Sequence, residues 1–242
     1  MKYEGLMVRR WLTLLFSAIV VSTLALGGCQ TQQPSFSTPE DSEAITTPVS
    51  TKIIKDLPKL EGKATVVLTI NDSPVAMEVN GDRAPITAGN FVSLIERGFY
   101  DGLTFHRVAR EPQPFVVQGG DPKGNGTGGF INPQTNQRRS IPLEIEPEGA
   151  EKPIYGQTFK QAGISAEPAL KHTRGSVSMA RSQMPNSASS QFFIALADLP
   201  FLDGNYAVFG NVTEGMEVVE EIQKGDRIQS AKVIEGLEKL KK

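Results

Sequence analysis

The chain has 242 residues, of which 39% are hydrophobic and 21% charged, enough for one sizeable core or two small ones. Its net charge of −2 shows no basic surplus, which argues against a nucleic-acid-binding protein. The single cysteine excludes an intrachain disulfide framework, and with only two histidines beside it no metal site and no cofactor is expected. The 23 glycines and 16 prolines indicate many turns and favour a β-rich fold.

The N-terminal segment is predicted to be a secretory signal peptide covering residues 1–28. Arg9 and Arg10 precede an apolar run, Trp11 to Leu26, that is shorter than the ~20 residues a helix needs to span a bilayer. Leu26-Gly27-Gly28-Cys29 then resembles a bacterial lipobox, in which the cysteine receives lipid and becomes the new N-terminus. A plain signal peptide followed by a chance cysteine is the alternative.

The segment after Cys29 is predicted to be a disordered tether, residues 29–60, because it is rich in Gln, Ser, Thr and Pro. Its last part, Lys52 to Leu60, either continues the tether or packs on the folded domain, which is expected at residues 61–242. More than one acyl chain at Cys29 would anchor the protein stably. The expected location is the periplasmic side of a bacterial cell-envelope membrane, with a photosynthetic lumen as an open alternative.

The folded domain is predicted to open with a β-hairpin. Ala64–Ile70 is rich in β-branched residues, Asn71–Pro74 has turn composition, and Val75–Val79 is the return strand. Apolar residues in Ala88–Arg97 then follow a helical period, and Gly98 suits a left-handed C-terminal cap.

The remaining elements are short strands, loops and one further helix. In order they are a strand–loop–strand at 105–120, a glycine-rich loop at 119–129, a long connection at 140–169, strands at 177–180, 190–196 and 207–212, a helix at 216–223 and a strand at 227–234. Many short strands with two helices predict a mainly β fold, a closed antiparallel barrel with helices covering its ends.

One glycine-rich stretch imitates a nucleotide-binding motif. Gly124–Gly129 matches the dinucleotide fingerprint, but Phe130-Ile131-Asn132-Pro133 follows it and cannot open the required helix. A P-loop and a Gly-x-Ser-x-Gly elbow are absent from the sequence, so nucleotide binding and serine hydrolase chemistry are not expected.

A series of motifs in fixed order resembles the cyclophilin-type peptidyl-prolyl cis–trans isomerases over residues 61 to 240. The motifs are Phe105-His106-Arg107-Val108, Phe115-Val116-Val117-Gln118-Gly119-Gly120-Asp121, Gly126-Thr127-Gly128-Gly129, Ser178-Met179-Ala180, Ser190-Gln191-Phe192-Phe193-Ile194, Phe201-Leu202-Asp203-Gly204 and Val208-Phe209-Gly210. The resemblance implies a closed eight-stranded barrel capped by two helices, and a groove that binds proline-containing peptides.

The same resemblance implies the residues of the groove. The catalytic residues would be Arg107, Phe115 and Gln118, and the substrate-binding residues Val116, Ala180, Arg181, Gln191, Phe193, Phe201, Leu202 and Tyr206. Rotation about an X–Pro bond breaks no covalent bond, so a rigid, permanently charged donor such as Arg107 can act by favouring the twisted amide. Phe192 and Phe193 alternate along a strand, and we assign Phe193 to the groove.

Several positions depart from the family pattern or have plain structural interpretations. Phe201 stands where many eukaryotic members carry tryptophan, which predicts weakened cyclosporin binding with isomerase activity largely retained. Tyr206 stands where histidine is frequent. His106 is expected to be structural, His172 to lie at the surface or in a loop, and Asp203 to be a turn residue.

The predicted function is isomerisation of X–Pro bonds in extracytoplasmic proteins, which assists their folding. The expected partners are proline-containing peptides, unfolded proteins and a membrane, with no nucleic acid, and a monomer suffices. The alternatives are a cyclophilin-fold binding module or chaperone with little catalysis and, more remotely, a structural lipoprotein of the envelope.

Overall fold

The computed structural model describes residues 54–242. The predicted signal peptide, the lipid attachment at Cys29 and most of the predicted tether lie outside the described residues. The end of that tether belongs to the folded domain, because Lys59–Leu60 pairs antiparallel with Leu240–Lys241 and Leu60 is fully buried. Leu57 also packs against the core. The predicted tether boundary at residue 60 is therefore wrong, and of the two possibilities for Lys52 to Leu60 the packed one holds for Leu57 and Leu60, since these leucines bury apolar surface.

The described residues form a mainly β structure with short helices. The strands are β1 (Lys59–Leu60), β2 (Lys63–Ile70), β3 (Ser73–Asn80), β4 (Arg107–Ala109), β5 (Val116–Gly119), β6 (Ile131–Asn132), β7 (Gln137–Arg138), β8 (Glu144–Ile145), β9 (Ile154–Tyr155), β10 (Ser176–Met179), β11 (Phe192–Ala195), β12 (Val208–Glu214), β13 (Ile228–Glu235) and β14 (Leu240–Lys241). The α-helices are α1 (Pro85–Glu96), α2 (Phe159–Ala162) and α3 (Met216–Glu221). None of these helices has the length and apolar composition needed to cross a bilayer.

Eight strands form one curved antiparallel sheet in the order β13-β2-β3-β12-β10-β11-β5-β4, which confirms the eight-stranded β architecture. The sheet edges meet only through flanking residues: Thr104 forms an isolated antiparallel bridge with Arg227. The Phe105 amide donates to the Asp226 carbonyl at 2.8 Å, and the Ile228 amide donates to the Leu103 carbonyl at 2.9 Å. Within residues 54–242, no continuous ladder between β4 and β13 closes the predicted barrel.

The opening hairpin follows from its sequence. Ile70 pairs with Ser73 across a two-residue turn in which Asn71 and Asp72 have φ of 50° and 62°. Positive φ at both central residues suits the twist of a tight hairpin, and Asn and Asp tolerate it better than most residues. Ser73 and Pro74 therefore begin β3 instead of belonging to the predicted turn.

Helix α1 closes one side of the core. It begins with Pro85 at its first turn, and its buried Phe91 packs 5.0 Å from the Phe209 ring and 5.2 Å from the Phe192 ring, centroid to centroid. Gly98, with φ of 65°, follows its last turn as predicted, and its amide donates to the Ile95 carbonyl at 2.8 Å.

The long connection at 140–169 has its own structure. It contains the paired strands β8 and β9 and the helix α2, none of which the sequence pattern predicts. Thr158 and Gln161 form a capping box around α2, and Gly163 ends this four-residue helix in the left-handed conformation. The helix is too short to show an apolar period. Helices at α1 and α3 match the two predicted ones.

Candidate functional site

Three neighbouring strands align the polar and apolar parts of a surface site. Arg107 of β4 lies opposite Gln118 of β5, and Gln118 lies opposite Phe193 of β11. Residues directly opposite in antiparallel strands project from the same face of the sheet, so these three side chains share one face. The other face carries Val117 and Phe192, which belong to the main core.

A pocket of about 180 Å³ opens on the face that carries Arg107. It is lined by Arg107, Phe115, Val116, Gln118, Ala180, Arg181, Phe193, Leu202 and Tyr206. The buried Val116, Phe193 and Leu202 form an apolar cluster separate from the main core. The fold therefore brings most of the candidate groove residues around one cavity.

Two candidate residues lie beside this pocket and do not line it. Gln191 is 8% exposed and lines a neighbouring cavity. Phe201 is 63% exposed, and its ring stacks on Phe115 with centroids 5.9 Å apart. The short 3₁₀ turn Pro200–Leu202 buries Leu202 and leaves Phe201 facing solvent, so Phe201 is a rim residue.

A directed chain of hydrogen bonds ends at Arg107. The Gln191 Nε2 group donates to the carbonyls of Gly126 at 3.0 Å and Gly128 at 2.9 Å. These acceptors fix the Gln191 amide, so its Oε1 accepts from Gln118 Nε2 at 3.0 Å. The Gln118 Oε1 atom consequently faces Arg107 and accepts from its Nη1 at 3.3 Å.

The Arg107 guanidinium also contacts an aromatic ring. Its Cζ atom lies 5.3 Å from the centroid of Phe115, within the range of a cation–π contact. Arg107 is exposed, and a guanidinium has five N–H donors. Held by Phe115 and Gln118, Arg107 keeps donors free for a ligand at the pocket edge.

A larger cavity of about 520 Å³ adjoins the pocket and shares Gln118, Ala180 and Arg181 with it. Most of its lining residues have polar side chains: Gln118, Gly126, Thr127, Arg138, Ser140, Ala180, Arg181, Ser182, Met184, Asn186, Ser187, Ser189 and Gln191. Across residues 54–242, no group of three or more His, Cys, Asp or Glu side chains could hold a metal ion.

Comparison with protein families is consistent with this geometry. The model of the cyclophilin type peptidyl-prolyl cis-trans isomerase family matches residues 65–239. The chain belongs to this family. We refer to the folded part as the cyclophilin domain.

Relatives and solved structures agree with the assignment of the cyclophilin domain. A putative thylakoid lumen peptidyl-prolyl cis-trans isomerase of Synechocystis is 47% identical over 195 residues, covering 76% of this chain and 50% of that protein. The chloroplastic peptidyl-prolyl cis-trans isomerase CYP38 of Arabidopsis thaliana is 39% identical over 204 residues, covering 77% of this chain and 46% of that protein. The chain therefore spans about half the length of these curated relatives.

The structural comparison concerns the same region. A Cryptosporidium parvum cyclophilin type peptidyl-prolyl cis-trans isomerase, solved in the presence of the dipeptide Ala-Pro, has a TM-score of 0.55 and 28% identity. The match covers 71% of this chain and 99% of that chain.

A buried His–Asp pair supports the pocket of the cyclophilin domain from behind. His172 is 2% exposed, and its ring stacks on Phe193 with centroids 6.0 Å apart. Both its Nδ1–H, at 2.7 Å, and its backbone amide, at 2.9 Å, donate to Asp203 Oδ1. Burial lowers the pKa of His172, and Asp203 partly opposes this effect.

His172 lies in a loop, which was one of its two expected places, but it is buried and not at the surface, and Asp203 is more than a turn residue. Asp203 lies 31 positions after His172 in the sequence. The turn at Pro200–Leu202 brings the two together, and Leu199, just before this turn, donates its amide to the His172 carbonyl at 2.7 Å. No local spacing signals such a pair. The only sequence signal for a special role of His172 is that the chain has just two histidines.

Arg181 of the cyclophilin domain is tied to its own surroundings. Its Nε and Nη2 donate to the Asn205 carbonyl at 2.9 and 2.7 Å, and its Nη1 donates to the Ser182 carbonyl at 2.8 Å. Its Cζ atom lies 4.7 Å from the Tyr206 ring centroid. Arg181 thus joins two loops at the rim, where it borders both cavities.

Proposed function

We propose that the chain is a peptidyl-prolyl cis–trans isomerase that acts on X–Pro bonds of extracytoplasmic proteins and assists their folding. The observation that carries this proposal is the placement of Arg107 donors at the edge of an apolar pocket formed by Phe115, Phe193 and Leu202. Membership of the cyclophilin family supports it.

The chemistry requires only that the twisted amide be favoured over the planar one. The barrier to rotation is about 18–20 kcal/mol because the planar C–N bond has partial double-bond character. When the bond twists, resonance is lost and the prolyl nitrogen gains a lone pair that can accept a hydrogen bond. Arg107 donates to this nitrogen or to its neighbouring carbonyl, an interaction that strengthens in the twisted state.

The pocket supplies the fixed part against which the amide turns. Phe115, Val116, Phe193 and Leu202 hold the proline ring while the residue before proline rotates. The apolar walls also exclude water from the amide, which strengthens the contact with the charged Arg107. Gln118 positions the guanidinium, because its own orientation is fixed through Gln191.

Substitution of Arg107 tests this mechanism. In a protease-coupled assay on an X–Pro peptide, Arg107→Ala is expected to lose roughly 10²–10³-fold in kcat/KM, as for other preorganised donors in active sites. Arg107→Lys keeps the charge but loses the planar guanidinium, so its kcat/KM should lie between those of the wild-type chain and Arg107→Ala. Arg110→Ala is the matched control, because Arg110 donates to the Glu220 carbonyl and does not line the pocket.

The same assay separates the enzyme from the alternative binding module. Wild-type activity in Arg107→Ala would contradict the catalytic role. Titration of the peptide against each variant measures binding independently. A wild-type chain that binds the peptide but does not accelerate its isomerisation would favour the binding module with little catalysis.

For location, we propose lipid anchoring at Cys29 after removal of residues 1–28, with the domain on the extracytoplasmic side of a membrane. The lipobox-like sequence supports this, as does the Synechocystis relative, whose name refers to the thylakoid lumen. The protein would meet unfolded client proteins there as a monomer.

Cys29→Ser tests the anchor. In a bacterial host supplied with labelled fatty acid, the wild-type chain should carry the label and sediment with membranes. Cys29→Ser should lose the label, because Cys29 is the one cysteine of the chain. Equal labelling of both chains, or an unlabelled wild-type chain, would contradict lipidation at this residue.

A further inference from the structure

The groove has a charge opposite to that of the whole chain. Arg107, Arg138 and Arg181 line the two adjoining cavities, and neither lining includes an aspartate or a glutamate. The chain as a whole has a net charge of −2. A local excess of three guanidinium groups in a concave surface favours anionic ligands.

Arg138 enters this surface from the hairpin of β6 and β7. It pairs with Ile131, and the next residue, Arg139, follows the end of β7. The Arg139 guanidinium lies 4.6 Å from the Phe130 ring centroid and donates to Asn90 Oδ1 at 3.3 Å. Arg139 is thus used for packing, whereas Arg138 lines the larger cavity.

Gly129 makes room for the Arg138 side chain at the cavity wall. A Cβ atom at Gly129 would lie 2.8 Å from Arg138 Nε and 2.8 Å from Ser189 Oγ. Both approaches are shorter than side chains tolerate, so the guanidinium lies directly against the glycine backbone. Arg138 itself is exposed at this wall and accessible to a ligand.

Arg138 is the arginine of the larger cavity that is available to a ligand. Arg181 already donates to the carbonyls of Ser182, Gln183 and Asn205. Among residues 54–242, no carboxylate lies within salt-bridge distance of Arg138. A carboxylate entering the cavity would meet a cation without a competing acidic partner.

We propose that the larger cavity binds an acidic side chain of the substrate and that Arg138 selects aspartate or glutamate within a few residues of the isomerised proline. This proposal rests on the proposed isomerase function. Gln118, Ala180 and Arg181 form a wall common to both cavities, so an extended peptide with its proline in the smaller pocket passes beside the larger one. Guanidinium and carboxylate form paired, charge-assisted hydrogen bonds.

A peptide scan with the full chain tests the selectivity. A single glutamate is moved through the three positions on each side of the proline, with glutamine and lysine at the same position as references. At one position, glutamate should raise kcat/KM over glutamine by roughly threefold to tenfold, the range of partly exposed charge-assisted contacts. Lysine should lower it, and added salt should reduce the advantage of glutamate.

Two variants assign the effect to Arg138. Arg138→Gln should bring the glutamate-to-glutamine ratio close to one. Lys232→Gln removes the same charge from an exposed position on β13 and should keep the wild-type ratio. If the preference for glutamate over glutamine decreased equally in both variants, it would arise from the general electrostatic field of the protein, and the proposed contact with Arg138 would be overturned.

The outcomes separate this inference from the proposed function. If the wild-type chain isomerises the glutamine peptides and shows no preference for glutamate at any position, the selectivity is wrong and the isomerase stands. If no peptide is isomerised, the proposed function fails. Direct titration of the glutamate and glutamine peptides then decides the inference, because equal affinities would overturn it and tighter binding of glutamate, lost in Arg138→Gln, would support it.

Discussion

Single hydrogen-bond donors and acceptors decide the orientation of the active side chains. Two glycine carbonyls fix the Gln191 amide, which fixes Gln118, which offers its Oε1 atom to Arg107. The Gln191 Nε2 group donates to two carbonyls, and each later step has one donor and one acceptor, so Gly126 and Gly128 determine the direction of the chain of hydrogen bonds. Arg107, Gln118 and Gln191 could be assigned to the groove from their separate motifs, but the order of their hydrogen bonds could not.

Histidine shows the limit of prediction at the residue scale. Arg107 and Phe193 could be assigned from motifs, because strand alternation separates Phe193 from Phe192. The buried position of His172 could not be predicted, because its partners Asp203 and Phe193 come from distant parts of the chain. Burial of this kind is a tertiary property that a lone histidine in a loop sequence does not reveal.

The two histidines predict a stability change with pH. Burial lowers the pKa of His172 and of His106, with Asp203 and Asp121 respectively opposing the effect. Below the unfolded value of about 6.5, the unfolded chain binds protons that the folded chain does not, so the free energy of unfolding falls. We expect a decline between about pH 7 and 5.5, at most ~1.4 kcal/mol per pH unit for each histidine.

Denaturant unfolding of the wild-type chain and of His172→Gln across this pH range measures the effect. Glutamine can still donate to Asp203 but does not titrate, so the slope with pH should become smaller. His106→Gln serves as the comparison and should remove only the contribution of His106. Parallel pH profiles for the wild type and His172→Gln would contradict a lowered pKa at His172.

At the element scale, the long connection at 140–169 stabilises the start of α1. Ala84 at the N-cap of α1 provides no side-chain cap. Glu144 of β8 supplies it, accepting from the Ile86 amide at 3.1 Å and from the Thr87 amide and hydroxyl at 2.7 Å each. Glu146 forms a salt bridge with Arg83 just before the helix. These contacts give the connection a structural role.

Removal of this distant cap should destabilise the fold. Glu144 is 1% exposed, and Glu144→Ala leaves the amides of Ile86 and Thr87 without their acceptor. The expected loss is about 2–3 kcal/mol in the free energy of unfolding, the cost of orphaned buried groups. Denaturant titration measures it, with the exposed Glu148→Ala as control. A loss no larger than that of Glu148→Ala would show that Glu144 is not the cap.

Elements with a clear period were predictable, whereas short ones were not. The strands β2 and β3 alternate buried and less buried residues over most of their length, and α1 is a twelve-residue helix in which every residue from Ile86 to Ile95 is buried. The two-residue strands β6 to β9 and the four-residue α2 have no such period. They form because distant contacts fix them, as Glu144 illustrates.

At the scale of the whole molecule, the order of the strands joins residues from separate motifs. The strands β4, β5 and β11 are neighbours in the sheet, although β11 follows β5 by a long interval in sequence. The ordered motifs could predict the family and its barrel-like sheet. They could not predict that the sheet edges meet through loop residues such as Thr104 and Arg227, because edge contacts depend on the curvature of the complete sheet.

The central claim is that Arg107 accelerates rotation of an X–Pro bond without any covalent change. Two-dimensional exchange NMR on an X–Pro peptide observes this rotation directly, since uncatalysed exchange takes tens to hundreds of seconds. With a small amount of wild-type chain, exchange peaks between the cis and trans forms should appear at mixing times of about 1 s or less, well below the uncatalysed time. With Arg107→Ala they should vanish while the peptide still binds. Exchange peaks of equal intensity with both chains would contradict the account.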